Sequence, residues 1–382
     1  MKAHVLCGLD RPELYHSSLN AGRVGLMTNQ TGIDRLYRPA IDIIHKNYRL
    51  NALLAVEHGV RGDIQAGEHI SASVDKKTGV PVYSLYGDTR LPSDDLMKEM
   101  DVAVYDMQDV GARFYTYLYS LSYLMEACAR NNIPLVVMDR LNPLGGLKVE
   151  GTILEPDVHS FVGEHPLPTR YALTVGEYAL FVRKLLKLDI DLTIIPLDGW
   201  RRSMYLDDTD TPWVAPSPNC GTLHAAQCFP GTCIFEGTNV SEGRGTTMPF
   251  EYIGAPWVEA DKLADTMRKR ALPGVFFRPC SFVPTFSKHK EELCHGVQMH
   301  IVDREKADTF AAGLYLLETI RDLYPEDFAF IGIDENGLSH FDRLLGTKRY
   351  RQGLVDAKTL IEEQQPLLEE FEHTTHGIRL YQ

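Results

Sequence analysis

The first half of the chain switches repeatedly between two hydrophobic periods. Short, nearly continuous apolar runs over residues 23–29, 50–56, 82–86, 102–105, 134–138 and 192–196 have the length and β-branched content of buried strands. Between them apolar residues fall at helical spacing. One such stretch carries Ile41, Ile43 and Ile44 behind a helix cap expected at Asp34. Others run from a Ser93 cap to Met100, over 117–129, and over 174–188. Strands alternating with helices describe a doubly wound, mostly parallel sheet of Rossmann-like α/β class.

Several of these strands stop abruptly at polar clusters. The first ends in Thr28, Asn29, Gln30 and Thr31, the second in Glu57 and His58, the run from Val102 in Asp106, Gln108 and Asp109, and the run to Met138 in Asp139 and Arg140. Ligands of open α/β sheets settle outside the carboxyl ends of strands, so these breaks, with Arg113 and Tyr115 just beyond Gly111, are expected to face one cleft. A carboxylate and an imidazole where an apolar strand emerges are costly unless they have partners or chemistry to perform. Gly59, Gly62 and Gly67 make the next segment a pliable loop that carries Arg61, Asp63 and Glu68.

The second half reads differently. Residues 213–254 are dense in turn formers (APSPN, PGT, EGTN, SEGRGTT) and read as a long loop lining a site, with Asn219, Glu236, Asn239, Glu242 and Arg244 on it. Helices are expected over 260–271, 307–323 and 356–371, and strands over 276–284 and 296–302. The expected organisation is a Rossmann-like catalytic domain over residues 1–200. A smaller α+β domain over 201–382 leans across its cleft.

Composition narrows the partners. The 382 residues carry 39 Lys and Arg against 52 Asp and Glu, a formal charge of −13 with no basic cluster to follow a phosphate backbone, which argues against nucleic acid. No stretch reaches the roughly 20 apolar residues of a membrane span. The N-terminus shows no apolar run of secretory length, so the chain as written reads as cytoplasmic, and as periplasmic or secreted if it is a trimmed form. The seven cysteines include no CxxC pair and read as free thiols; the run Cys220, His224, Cys228, Cys233 fits no common zinc spacing. TNQTGID replaces a G-x-G-x-x-G fingerprint after the first strand, and no phosphate loop occurs. No cofactor and no metal site is expected.

Carboxylates, amides and arginines beside Tyr115, Tyr117 and Trp257 suit a hydroxylated ligand such as a sugar. Acid–base cleavage of a glycoside usually takes two carboxyl groups, one kept protonated by poor solvation. Glu57, on the most apolar strand, is the first choice for the proton donor, with His58 orienting it or binding substrate. Asp106, Asp109, Asp139, Glu236 and Glu242 compete for the second role, and Asp106 and Glu236 are retained with Glu57 as the catalytic set. A cation site built from Glu57, His58 and Asp106 is the competing chemistry, without HExxH-like spacing behind it.

VGLMTNQTGID, EHGVRGD, YDMQDVGARFYTY, MDRLNPLGG and PSPN followed by PGTCIFEGTNVSEGRGT occur in this order and together resemble the NamZ-like exo-β-N-acetylmuramidases of bacteria, from about Gly22 to the C-terminus. The resemblance implies an enzyme that removes terminal N-acetylmuramic acid from the non-reducing ends of peptidoglycan-derived disaccharides and oligosaccharides, in a cleft between a Rossmann-like and an accessory domain. It implies Glu57 as catalytic acid, and Asp106, Gln108, Asp109, Arg113 and Tyr115 as parts of the sugar pocket. Asn29, His58, Arg61, Asp139, Arg140, Asn219, Asn239, Glu242 and Arg244 complete the expected binding set. Arg113 or Arg140 is expected to take the lactyl carboxylate, a charge-assisted contact that separates muramic acid from N-acetylglucosamine. The alternatives are a muropeptide- or sugar-binding protein without turnover and a metal-dependent hydrolase. Nothing in the sequence sets the oligomeric state.

Overall fold

The alternation of strand and helix signals is realised as a seven-stranded sheet followed by a three-stranded one. The computed structural model describes residues 2–20, 22–57, 59–62, 73–85 and 90–382. In chain order the first unit contains α1 (Pro12–Leu19), β1 (Arg23–Thr28), α2 (Ala40–Asn47), β2 (Arg49–Ala55), β3 (Ser73–Val74), β4 (Pro81–Ser84), α3 (Asp94–Met97), β5 (Val102–Asp106), α4 (Tyr117–Asn131), β6 (Leu135–Met138), α5 (Val175–Leu185) and β7 (Leu192–Ile195). The second contains α6 (Leu223–Thr232), β8 (Tyr252–Ala255), α7 (Ala260–Lys269), β9 (Val275–Phe282), β10 (Cys294–Ile301), α8 (Thr309–Leu323), α9 (His340–Leu345) and α10 (Ala357–His376).

The large sheet has the order β3-β4-β2-β1-β5-β6-β7, and every pairing is parallel except β3 with β4. From β1 the chain moves outward through β2 and β4. From β5 it moves the other way through β6 and β7. The direction therefore reverses between β1 and β5, where Thr28 pairs with Asp106, and the carboxyl ends of these two strands frame the crevice that this topology offers to a ligand. Both faces are covered, as a parallel sheet requires. Val24, Leu26 and Leu53 face Ile41 and Ile44 of α2, while Met27, Leu54 and Tyr105 face Leu118 and Leu121 of α4.

The small sheet is antiparallel, in the order β8-β10-β9. Its core extends into the first unit, because Val110, Ala112 and Phe114 from the β5–α4 connection are buried with Phe229, Phe250 and Phe341. The C-terminus crosses in the other direction. Phe371 of α10 lies in the α4–α5 core, and the backbone N–H of Leu380 donates to Glu177 at 2.8 Å.

Three sequence expectations change. Asp34 does not cap α2, whose N-cap position is Pro39; its carboxylate instead closes the preceding turn by accepting from the backbone of Leu36 and Arg38 at 3.0 and 2.8 Å. Residues 213–254 are not loop throughout, since α6 forms within them despite Pro230 and Gly231. Gly231 is there because α6 and α8 pack backbone to backbone: a Cβ on Gly231 would stand 1.9 Å from the Thr309 carbonyl oxygen. Short α1, β3, β8 and α9 are additional to the expected elements. Among the described residues, no helix is long and apolar enough to cross a membrane.

Candidate active site

The carboxyl ends of β2, β1 and β5 deliver Glu57, Asn29 and Gln108 to one side of the sheet, and residues 215–217 of the segment leaving the first unit close over them. Glu57 follows β2 and is half-buried; its Oε2 lies 3.4 Å from the Thr116 hydroxyl at the N-cap of α4. Thr116 makes no side-chain cap to α4. One residue on, the Tyr117 hydroxyl donates to the Pro216 carbonyl at 2.6 Å and lies close enough to Glu57 to feel its charge. Gln30 donates to the carbonyls of Ala215 and Pro216 at 3.1 and 2.9 Å, which fixes this strap across β1.

A relay of short bonds sets Asn29. Its Oδ1 accepts from the Thr31 amide at 2.9 Å and hydroxyl at 2.6 Å, and Thr31 in turn accepts from the Gln108 amide at 2.8 Å. Gln108 spends its side-chain amide on the carbonyls of Asp109 and Leu141, both at 2.8 Å. The Tyr115 ring meets Tyr117 edge-on at 4.8 Å and Phe229 of α6 at 6.0 Å. Phe229 meets Phe250 at 4.6 Å, and the Arg244 guanidinium lies 5.1 Å from the Phe250 ring. A run of aromatic contacts thus links the Glu57 side of the crevice to the charged cluster of the second unit.

That cluster contains three expected residues, Glu236, Glu242 and Arg244, brought together as a network. Arg244 bonds Glu236 at 2.5 Å and stands 3.3 Å from Glu242, which also pairs with Lys288 at 2.6 Å; His340, at the start of α9, is 3.6 Å from Glu236. Burial works to raise the Glu236 pKa, but His340 and the Arg244 guanidinium more than offset it and hold the carboxyl down at about 2. Asn239 is turned away from the cluster and knits the chain at 327–329, donating to Asp327 O at 2.7 Å and accepting from Ala329 N at 2.9 Å.

Other expected residues are engaged elsewhere. Asp106 is gripped on both oxygens by Arg140, at 2.6 and 2.9 Å, in an ion pair almost fully withdrawn from solvent. Burial raises the Asp106 pKa, against the pull of that guanidinium. Asp139 anchors the start of α5, accepting from Thr174 at 2.9 Å and Gly176 N at 2.7 Å, and it also receives the Tyr381 hydroxyl. Asp109 accepts from Gly111 N at 2.6 Å and from Tyr171, and burial pushes it up to about 6 against those bonds. Arg61 is held by Asp75 at 2.6 Å and by Asp42 at 3.3 Å. Asn219 is buried at the end of the strap. His58 lies outside the described residues, as do Asp63 and Glu68.

Neither guanidinium expected at a substrate carboxylate is turned toward the crevice. Arg140 is consumed by Asp106 and by the Ile33 carbonyl at 2.8 Å. Arg113 is fully buried and donates to the Leu344 carbonyl at the end of α9 at 2.8 Å, and burial lowers its pKa to about 10. Trp257 packs on Tyr324 at 5.5 Å, and the Tyr117 ring is buried, so neither offers an open face to a sugar. Cys228 lies 3.8 Å from the His224 ring, and Cys220, Cys228 and Cys233 are buried free thiols. Among the described residues, no group of three or more His, Cys, Asp or Glu is arranged to hold a metal ion. Thr116, Ser217, Lys288 and His340 escaped the sequence reading; only Ser217, inside the turn-rich APSPN, carried a local signal.

Comparison with known proteins follows this two-part construction. Residues 24–224 match the family model described as "Exo-beta-N-acetylmuramidase NamZ, N-terminal", and residues 227–381 match its C-terminal counterpart. The peptidoglycan beta-N-acetylmuramidase NamZ of Bacillus subtilis (strain 168) is 44% identical over 387 positions, covering 100% of this chain and 92% of the relative. Two crystal structures of DUF1343 family proteins from Bacteroides fragilis NCTC 9343 superpose over 99% of both chains. Their TM-scores are 0.91 at 37% identity and 0.77 at 29%.

Proposed function

The chain belongs to the NamZ family of exo-β-N-acetylmuramidases, and from that premise we propose how its crevice divides the work of cleaving terminal N-acetylmuramic acid from peptidoglycan fragments. It is a glycoside hydrolase whose substrate is peptidoglycan. Glu57 is the general acid that protonates the departing glycosidic oxygen. The observation that carries this is its position: a half-buried carboxylate one strand from the topological switch point, against Thr116 at the start of α4 and near Tyr117, which holds the 215–217 strap. Asn29 and Tyr115 lie beside the same crevice and bind the sugar, with Tyr117 packed behind Tyr115. Glu236 is held ionised by Arg244 and His340 within the charged network of the second unit.

Turnover of the nitrophenyl β-glycosides of N-acetylmuramic acid and N-acetylglucosamine tests the assignment. Hydrolysis of the muramic glycoside and none of the glucosamine glycoside is the expected outcome. Equal rates on both, or none on either, reject it.

A further inference from the structure

Beside Glu57 the crevice presents neutral hydrogen-bond donors. Asn29 commits its side-chain oxygen to Thr31, which fixes the amide so that its nitrogen is the free end; that nitrogen is buried beside the Tyr117 hydroxyl and makes no directed bond. The Tyr115 hydroxyl is likewise buried, beside the hydroxyls of Tyr117 and Ser217, without a directed bond to either. Two buried donors held rigidly at a ligand crevice call for an acceptor from the ligand. The terminal sugar carries a neutral one, the carbonyl oxygen of its 2-acetamido group, attached one carbon from the reacting centre.

Most of the described carboxylates expected to act as nucleophile or base are meanwhile committed. Arg140 holds both oxygens of Asp106, Tyr171 and Gly111 hold one oxygen of Asp109, Thr174, Gly176 and Tyr381 hold Asp139, and Arg244, His340 and Lys288 hold Glu236 and Glu242. We propose, resting on the muramidase reading above, that Asn29 and Tyr115 hold the 2-acetamido group beneath the anomeric carbon. Its carbonyl oxygen, and no side-chain carboxylate, is then the nucleophile.

The bonds balance with Glu57 as the single acid–base group. In the first step the acetamido oxygen bonds to C1. The C1–O glycosidic bond breaks with its electron pair going to the leaving oxygen, and that oxygen takes the Glu57 proton. A cyclic oxazolinium and a Glu57 carboxylate result. In the second step water bonds to C1 from the vacated face and gives its proton to Glu57, and the C1–O bond of the ring opens to restore the acetamide. Two displacements at C1 retain the β configuration.

The test uses the full-length enzyme with nitrophenyl β-muramic glycosides bearing N-acetyl, N-fluoroacetyl, N-difluoroacetyl and N-trifluoroacetyl groups, and proton NMR of the first-formed sugar. The β anomer is expected first, with kcat/KM falling stepwise by about 100-fold or more across the series as fluorine withdraws electrons from the nucleophile. Tyr115→Phe and Asn29→Ala are each expected to lower kcat on the N-acetyl substrate by at least about 10-fold; the unfolding midpoint stays unchanged for Tyr115→Phe and falls for Asn29→Ala, which takes the acceptor from Thr31. An α anomer formed first overturns the proposal and leaves the muramidase reading intact. So does retention with rates indifferent to fluorination, which assigns the nucleophile to a side chain, residues 63 and 68 included. No turnover of the parent glycoside removes both readings together.

Discussion

Glu57 and Asp106 stand at the carboxyl ends of the two strands that flank β1, and their surroundings give them opposite work. Glu57 is half-buried with a hydroxyl at 3.4 Å, accessible enough to meet a leaving oxygen. Glu57→Gln keeps the shape and the hydrogen bonding but removes the transferable proton. Turnover of the muramic glycoside is expected to fall by about 10³-fold or more, while binding of free N-acetylmuramic acid, followed by calorimetry, changes little. Loss of binding together with turnover would point to a purely structural glutamate. Asp106, with both oxygens on Arg140 and no solvent, holds the switch point together. Asp106→Asn strands a buried guanidinium and is expected to cost about 3–5 kcal/mol in urea unfolding, whereas pairing it with Arg140→Met recovers most of the loss. A change below about 1 kcal/mol for the single variant would mean that Arg140 finds another partner.

The elements most legible in the sequence are those whose own residues decide them. β1, β2, β5 and β6 lie within a residue or two of their expected bounds because each is an apolar run closed by a polar break. α5 starts at Thr174, whose hydroxyl caps Glu177 in a capping box. α6 was not legible, because Pro230 and Gly231 are turn residues by local preference and only the approach of α8 explains a helix there. The site divides the same way. Glu57, Asn29 and Tyr115 announce themselves at strand ends, whereas the Arg140 grip on Asp106 and the His340 contact with Glu236 join residues far apart in sequence. Gly231→Ala tests the helix contact. The new methyl would meet backbone, not a side chain that can swing aside, so α6 must shift away from α8 at a cost of about 1–3 kcal/mol. Because α6 carries Phe229 against Phe114 and Tyr115, kcat/KM is expected to fall with stability, and an unchanged thermal midpoint would show that the two helices are not locked as described.

Across the whole molecule the chain returns to where it began. The last residues pass from α10 back over the first unit: Leu380 N donates to Glu177, Arg202 N donates to the Gln382 carbonyl at 2.9 Å, and the Tyr381 hydroxyl reaches Asp139 while accepting from Leu197 N at 2.9 Å. Asp139 is the buried end of that clasp, and burial lifts its pKa from 3.8 to about 7, against the bonds from Tyr381 and Gly176. A carboxyl raised on folding binds its proton more tightly in the folded chain than in the unfolded one. Its contribution is therefore most favourable below about pH 4 and is lost as pH rises toward 7, by up to about 4 kcal/mol in all. Asp139→Asn cannot ionise, so it removes this slope; its one oxygen keeps an acceptor for the Gly176 amide, while its NH2 replaces the oxygen that accepts from Thr174 and Tyr381 and lowers stability by the same amount at both pH values. Measured by urea unfolding at pH 4.5 and 7.5, the variant should gain on the parent protein as pH rises; a difference that stays constant between the two pH values would show that Asp139 keeps an ordinary pKa inside the clasp.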